Sequence, residues 1–211
     1  MSYLRTANER EAYRRVFYPN TETYVNKLGI RDREHLENTE RALINRRASQ
    51  SFPPQAHCRS YSGFKAIHRH LFQDLYAWAG KERRYTTGRA SIPFARPEHI
   101  ASWMRRQFRQ LAEERYLVGR SKAQFAERAA VYVNEINAAH PFIDGNGRAQ
   151  RFWLRMLAEN AGFALTLDAA DTKRWNEASR LGFMKGDHAP MARLIRSRLR
   201  VLRGGPKPST S

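Results

Sequence analysis

Apolar side chains recur along the chain at spacings of three and four residues, the period of one face of an α-helix. The clearest run starts at Phe64 and ends at Trp78, and it predicts one helix closed by Gly80, a residue suited to a C-cap. The same period, interrupted by capping residues and breaks, predicts further helices. They cover about 31–47, 97–111, 122–139, 149–161, 171–180 and 190–202.

One segment departs from the helical period. The residues at 85–87 favour extended backbone, Gly88 permits a turn, and Ile92 and Phe94 alternate after it, which predicts a short β-hairpin at about 84–94. The expected fold is therefore all-α with one hairpin. We expect a single domain over 1–203, followed by a flexible tail at 204–211 with a linker-like composition.

Composition limits the kinds of protein that remain. The 211 residues, 41% of them hydrophobic, suffice for one core, and no apolar run approaches the roughly 20 residues that span a membrane. Cys58 is the single cysteine, so the chain builds neither a disulfide framework nor a cysteine-based zinc site. These features predict a soluble cytoplasmic protein without a membrane partner, in which Cys58 has no catalytic part.

The chain is strongly basic, with 38 Lys and Arg residues against 20 acidic ones and a formal net charge of +18. Such a surface attracts polyanions, so nucleic acid, nucleotides or an acidic partner are candidate ligands. A solvated surface without a specific anion is the alternative. Because the basic residues are scattered along the chain, direct nucleic-acid binding is compatible with the charge but not required by it.

A twelve-residue segment between two predicted helices, from His140 to Arg151, carries the candidate chemistry. Two glycines flank Asn146 and free the backbone to point successive N–H groups at one spot, which makes an anion-binding nest. The following helix directs the positive end of its dipole to the same place. Arg148 and Arg151 are three residues apart on that helix, so both guanidinium groups can face a polyphosphate.

Three other residues of the segment complete this interpretation. Asp144 offers a hard oxygen ligand for Mg²⁺ held jointly with substrate phosphates. His140 has the one side chain here whose ordinary pKa lets it act as a base near neutral pH. Phe142 is apolar in a polar loop and is expected to anchor that loop in the core. Read singly, these features more often indicate a tight turn, solvated arginines and a capping histidine, but their unbroken order favours a nucleotide site.

At these residues the chain resembles the Fic family, whose signature is His-Pro-Phe, any residue, Asp or Glu, Gly-Asn-Gly-Arg, two residues and Arg. Every fixed position is matched between His140 and Arg151. The likeness extends over about 18–200, including the segment that ends at Gly80, the hairpin and 163–176. It implies a Fic-type helical bundle with a hairpin flap, and a protein adenylyltransferase that moves AMP from ATP to a hydroxyl side chain of another protein.

The resemblance also implies a role for each matched residue. His140 deprotonates the target hydroxyl, Asp144 holds Mg²⁺, Arg148 contacts the inner phosphates and Arg151 the γ-phosphate. The backbone amides of Gly145, Asn146 and Gly147 also bind the phosphates. Asn176 contacts the adenosine, although a solvated helix residue without a ligand is an equal alternative at that position.

The predicted hairpin resembles the Fic flap, which holds a target segment as an added strand, backbone to backbone. Ile92 and Phe94 are candidates to clamp the modified residue, although such a pair equally suits core packing. Main-chain docking would accept Ser, Thr or Tyr hydroxyls alike, so the acceptor type stays open.

Many Fic proteins carry an inhibitory helix with Ser or Thr, three residues, Glu, then Gly or Asn. Neither Glu37 nor Glu159, each followed by Asn, has Ser or Thr four residues earlier. The chain therefore resembles Fic toxins restrained by a separate small antitoxin, which would offer its glutamate to Arg151. Toxins of this kind modify type II topoisomerases, DNA gyrase or topoisomerase IV. The alternatives are phosphate or phosphocholine transfer on the same fold, and a non-enzymatic nucleic-acid-binding module.

Overall fold

Helices form the frame of the protein, which a computed structural model describes over residues 3–202. The predicted all-α class is confirmed. The tail predicted at 204–211 lies outside the described residues, and no helix within 3–202 is long and apolar enough to cross a membrane. The helices are α1 (Ala7–Arg14), α2 (Arg33–Ala48), α3 (Tyr61–Phe72), α4 (Pro97–Glu113), α5 (Lys122–Ala139), α6 (Asn146–Asn160), α7 (Asp171–Lys185) and α8 (Ala189–Arg198).

Local capping explains where several helices begin. Asp32 caps α2 by accepting a hydrogen bond from the backbone N–H of His35, and Pro97 occupies the first turn of α4. Ser121 and Gln124 form a reciprocal capping box at the start of α5. These starts lie within two residues of those predicted from the capping residues.

The predicted hairpin is present and very short. Strand β1 (Gly88–Arg89) pairs antiparallel with β2 (Ile92–Pro93). A second pair was not predicted: β3 (Phe163–Leu165) pairs with β4 (Leu199–Val201). The helix predicted over 190–202 is therefore wrong at its end, because α8 stops at Arg198 and the chain continues as a strand alongside β3.

Helix α3 ends earlier than predicted. The expected helix through Trp78 to Gly80 is wrong, since α3 stops at Phe72 and a series of turns follows. Leu75 is nevertheless 2% exposed, because these turns fold it back onto the core at the spacing that a helix would give. The N–H of Gly80 donates to Nδ1 of His68 and not to a helical carbonyl. Elsewhere, α6 begins three residues before the predicted start, and α1 was not predicted.

Helix α5 lies at the centre of the fold and contacts α4, α6, α7 and α8. Its small buried residues, among them Ala129 and Ala130, let these neighbours approach closely. The loop after α5 is anchored in the same core by Phe142, which is fully buried and stacks on Phe64 of α3 with ring centroids 5.5 Å apart. As a result, the loop between α5 and α6 rests on rigid elements.

Candidate active site

The end of α5 presents His140. This residue is the C-cap of the helix and adopts the left-handed conformation, with φ +44° and ψ +60°, which turns the chain sharply into the loop. The Nδ1 atom of its imidazole is closed off from solvent, whereas the residue as a whole is half-buried. Of the two ring nitrogens, Nδ1 therefore lies on the inner side of the ring.

The surroundings of His140 keep its imidazole neutral. Burial, followed by the positive charge of Arg83, lowers its pKa from 6.5 to about 3; the Asn137 backbone opposes this shift and Arg89 adds a smaller lowering effect. The ring stacks flat on Phe94, with centroids 4.0 Å apart and planes 5° apart. A neutral imidazole held in one plane is the form that can accept a proton.

Asn146 fixes the shape of the loop. Its side chain is buried, accepts a hydrogen bond from the N–H of Phe142 at 3.0 Å and donates one to the carbonyl of Phe142 at 2.9 Å. This side chain therefore satisfies both backbone groups of a fully buried residue. Asn146 acts first as a brace for the loop, a contact that the sequence reading did not anticipate.

The N-terminus of α6 forms a candidate anion site. Gly145 is its N-cap at φ +77°, and no side chain caps the first turn. The backbone N–H groups that open the helix, including that of Gly147, are thus left without a side-chain partner at the positive end of the helix dipole. The N–H of Gly145 is different, because it donates to the carboxylate of Asp144 at 2.6 Å.

Asp144 and Arg148 form an ion pair at 3.2 Å beside this helix end. Arg148 is also paired with Glu40 of α2, whose carboxylate accepts a hydrogen bond from the hydroxyl of Tyr76. Glu40 was missed by the sequence reading, and it carries no local signal, since 108 residues separate it from Arg148. The guanidinium of Arg148 is therefore already oriented between two carboxylates.

Arg151 differs from Arg148 because no carboxylate within residues 3–202 pairs with it. It is half-buried, and its guanidinium lies 5.9 Å from the ring centroid of Trp175 on α7. Burial lowers its pKa, and the neighbouring Arg148 adds to the effect. An unneutralised, partly desolvated guanidinium one turn into α6 attracts an anion strongly.

His68 of α3 supports the loop between α5 and α6 from the core side. The sequence analysis did not identify it. Its Nδ1 accepts the N–H of Gly80, so Nε2 carries the proton and donates to the carbonyl of Asp144 at 2.9 Å. The ring is stacked on Phe142, with centroids 3.8 Å apart, and burial lowers its pKa to about 3. A histidine on a helix face gives no sequence signal that separates this role from ordinary core packing.

Two predicted contacts lie at the margin of this arrangement. Asn176 is exposed on α7, next to the buried Trp175, and its contact with adenosine stays a prediction. Ile92 is half-buried in β2, whereas Phe94 is 7% exposed and packs on His140 and Phe183. This buried position matches the core-packing alternative for Phe94, and a part in target docking stays a prediction for both residues.

The donor set at Asp144 suits Mg²⁺ shared with a nucleotide. No group of three or more His, Cys, Asp or Glu side chains within residues 3–202 forms a metal cage. Asp144 supplies one carboxylate, 42% exposed, next to a site for anions. Because Mg²⁺ is commonly held by one or two carboxylates together with substrate phosphates, these residues fit that ion.

The two buried histidines predict a pH dependence of stability. The pKa values of His68 and His140 fall from 6.5 to about 3 on folding, so the unfolded chain binds more protons below pH 6.5. Stability is then present above that pH and is lost as pH falls, by about 1 kcal/mol for each histidine between pH 7.0 and 5.5. Urea unfolding at pH 7.0 and 5.5 measures this change, and H140A should show a shallower dependence; equal slopes would contradict the prediction.

Comparisons with known proteins identify the family of the chain. Residues 59–158 match the model of the Fic/DOC family. The chain is 38% identical to the probable protein adenylyltransferase y4lH of Sinorhizobium fredii over 85% of its own length and 92% of the relative's. It is 36% identical to the probable protein adenylyltransferase Fic of Escherichia coli, over 79% and 83% of the two chains.

Solved structures resemble the fold as well. The BepC protein of Bartonella tribocorum, with bound AMPPNP, superposes with a TM-score of 0.82 at 26% identity, over 93% of this chain and 99% of the other. The N-terminal Fic domain of a putative cell filamentation protein from Bartonella quintana, with bound ADP, gives a TM-score of 0.80 at 25% identity, over 89% and 95%.

The helical fold and this loop define an enzyme of the protein adenylyltransferase class. The predicted resemblance is confirmed, and the chain belongs to the Fic/DOC family.

Proposed function

We propose that this chain transfers AMP from ATP to a hydroxyl side chain of a target protein, with His140 as the base and the loop and first turn of α6 as the phosphate site. The observation that carries the proposal is Arg151, a half-buried cation without a carboxylate partner in the described residues, placed one turn into a helix whose N-terminus is uncapped. A triphosphate supplies the charge that this arrangement lacks.

In the proposed reaction the acceptor oxygen attacks the α-phosphorus as its proton passes to Nε2 of His140. A bond forms between that oxygen and the α-phosphorus, the bond to the oxygen that bridges the α- and β-phosphates breaks, and pyrophosphate leaves. The amides that open α6 hold the inner phosphates, Arg148 lies beside them and Arg151 binds the γ-phosphate. Such a reaction needs positioning and charge stabilisation from the protein and no protein nucleophile.

Mg²⁺ is part of the proposal, with Asp144 as its protein ligand. When bound, the ion would neutralise charge on the nucleotide phosphates. Asp144 must then share or release its ion pair with Arg148, and Glu40 keeps the guanidinium in place during that exchange. The brace from His68 to the carbonyl of Asp144 holds the backbone of the loop meanwhile.

We propose that the target segment adds as a strand to the hairpin β1–β2, with Ile92 and Phe94 near the modified residue. The adenosine lies toward Asn176 on α7. Backbone pairing selects a target segment by its extended conformation and contacts few of its side chains. The modified residue can therefore be Ser, Thr or Tyr. This docking is compatible with more than one target.

For the biological partner we propose a bacterial type II topoisomerase, DNA gyrase or topoisomerase IV, modified in the cytoplasm. The net charge of +18 suits a target that handles DNA, and direct binding of this chain to nucleic acid is not required. We further propose that a small antitoxin with an inhibitory helix restrains the enzyme. Arg151 supports this, since no glutamate within residues 3–202 occupies it, and an added glutamate would compete with the γ-phosphate.

Labelled nucleotides test the proposed reaction. The chain is incubated with Mg²⁺, purified topoisomerase and ATP labelled either on the α- or on the γ-phosphate. Label on the target from the α-position alone supports AMP transfer. Label from the γ-position indicates a phosphate donor, and a target modified only with CDP-choline indicates phosphocholine transfer. Steeply salt-dependent binding to DNA with no modification would favour the non-enzymatic module instead.

Arg151→Gln should weaken ATP binding while leaving the fold intact. Loss of a hydrogen-bonded charge contact costs about 1.5–3 kcal/mol, or about 10- to 100-fold in affinity. Titration calorimetry with a non-hydrolysable ATP analogue measures the change. Arg155→Gln is the matched control, because Arg155 is exposed one turn further along α6. Equal affinities of the two variants would contradict the assignment of Arg151.

A further inference from the structure

Arg83 is the least expected charge in the interior, with 1% of its surface exposed. Its guanidinium donates hydrogen bonds to four backbone carbonyls. Nε reaches His140 at 2.7 Å, Nη1 reaches Tyr85 at 2.6 Å, and Nη2 reaches Ala139 at 3.1 Å as well as Ala95. No carboxylate within residues 3–202 forms an ion pair with it, so the backbone alone satisfies this cation.

The end of α5 explains how a cation without a carboxylate can be buried there. The carbonyls of Ala139 and His140 belong to the last turn, where they lack helical partners and where the helix dipole is negative. Burial lowers the pKa of Arg83 to about 10, so the side chain stays protonated at neutral pH. The charge and the fork geometry of Arg83 therefore both act where α5 enters the loop between α5 and α6.

We propose that Arg83 is a positioning residue which locks the peptide groups around His140 and both ends of the hairpin into one arrangement, a role that rests on the proposed function. His140 has a positive φ, a conformation that a residue with a Cβ adopts only when its surroundings impose it. The guanidinium holds the carbonyl of His140, and the backbone N–H of Arg83 donates to the carbonyl of Pro141 at 2.8 Å. Consecutive peptide groups are thus tied to one residue, which sets the direction of the imidazole.

The guanidinium of Arg83 also connects the hairpin to the His140 region. Tyr85 precedes β1 and Ala95 follows β2, so the two bonds close the hairpin at its root. Ala95 also donates its N–H to the carbonyl of Ala138 in α5 at 3.0 Å, and its neighbour Phe94 stacks on His140. A target strand docked on the hairpin is consequently held at a fixed distance from Nε2.

Arg83→Lys tests this role, because it keeps the charge but cannot reach four carbonyls at once. A small displacement of the base lowers the rate of AMP transfer, so kcat should fall about 10- to 100-fold. The affinity for ATP should stay within about twofold, since the phosphates are bound by the 144–151 segment. Arg109→Lys, on the exposed face of α4, is the control for an arginine-to-lysine change and should keep wild-type kcat.

Nuclear magnetic resonance of the His140 ring gives a second readout that needs no turnover. Arg83 and Arg89 are the charged groups that lower the pKa of His140. Arg83→Met should therefore raise that pKa, whereas Arg83→Lys should shift the ring resonances with little change in pKa. If Arg83→Met does not fold, Arg83→Lys still decides the matter.

The outcomes separate this role from the proposed function. A wild-type chain that transfers no AMP refutes the proposed function, while displaced His140 resonances in Arg83→Lys would still support the positioning role. Wild-type kcat together with unshifted His140 resonances in Arg83→Lys would overturn it. So would a parallel loss of ATP affinity, kcat and melting temperature, which indicates a general structural role.

Discussion

Replacing His140 by alanine should abolish measurable AMP transfer while nucleotide binding persists. General bases contribute about 10²- to 10⁴-fold to a rate, and His140, whose imidazole is held neutral, is the proposed base. The shape of the proposed phosphate loop does not depend on the ring, because the buried side chains of Asn146 and Phe142 hold that loop from inside. Single-turnover transfer of labelled AMP measures the loss, and calorimetry with an ATP analogue measures the retained affinity.

His140→Ala also removes the ring on which Phe94 stacks, so a second substitution is needed to separate the loss of packing from the loss of the base. His140→Phe keeps an aromatic ring, one atom larger, against Phe94 and removes both ring nitrogens. Both variants should be equally inactive. Transfer by either one at a tenth of the wild-type rate or more would exclude His140 as the base.

Replacing Gly145 by alanine should unfold the site more severely than its small size suggests. A Cβ at this position would lie 2.2 Å from the ring of Phe72, and the residue has φ +77°. The left-handed conformation costs about 1–2 kcal/mol for a residue with a side chain, and displacing a buried ring adds about 1–3 kcal/mol. Because Gly145 is the N-cap of α6, the strain falls directly on the amides proposed to bind phosphate.

Gly29→Ala is the matched control for Gly145→Ala. Gly29 has a similar φ of +70°, but nothing lies within 4 Å of its would-be Cβ. The control therefore carries the conformational cost without the clash. Urea unfolding and ATP affinity should be impaired more in Gly145→Ala than in Gly29→Ala. Equal losses of stability and affinity in the two variants would show that the Phe72 ring moves aside at little cost. The close packing of Gly145 on that ring would then not matter for ATP binding.

The sequence was most informative where the determinants are local. The segment from His140 to Arg151 brings a histidine, a carboxylate and two arginines together within one loop and the start of one helix, so sequence spacing determines their proximity. The hairpin likewise followed from a turn between short extended runs. In both cases neighbouring residues decide the conformation.

Interactions between distant residues could not be predicted in the same way. Glu40 meets Arg148 across 108 positions, and β4 pairs with β3 only after two intervening helices. The helix expected to reach Gly80 failed for another reason. Leu75 and Trp78 are drawn to the core by turns whose spacing imitates a helix, and periodicity does not distinguish these conformations.

The weak proton affinity of the imidazole has a consequence for the order of events. On the proposed function, a triphosphate brings several negative charges close to a ring that otherwise resists protonation, and those charges make it more basic. Hydroxyl groups that meet the protein before ATP has bound would find a poor proton acceptor there. Nucleotide binding would then raise the basicity of the His140 imidazole before the acceptor hydroxyl reacts. Departure of pyrophosphate would lower that basicity again, so that the imidazole releases its proton to solvent.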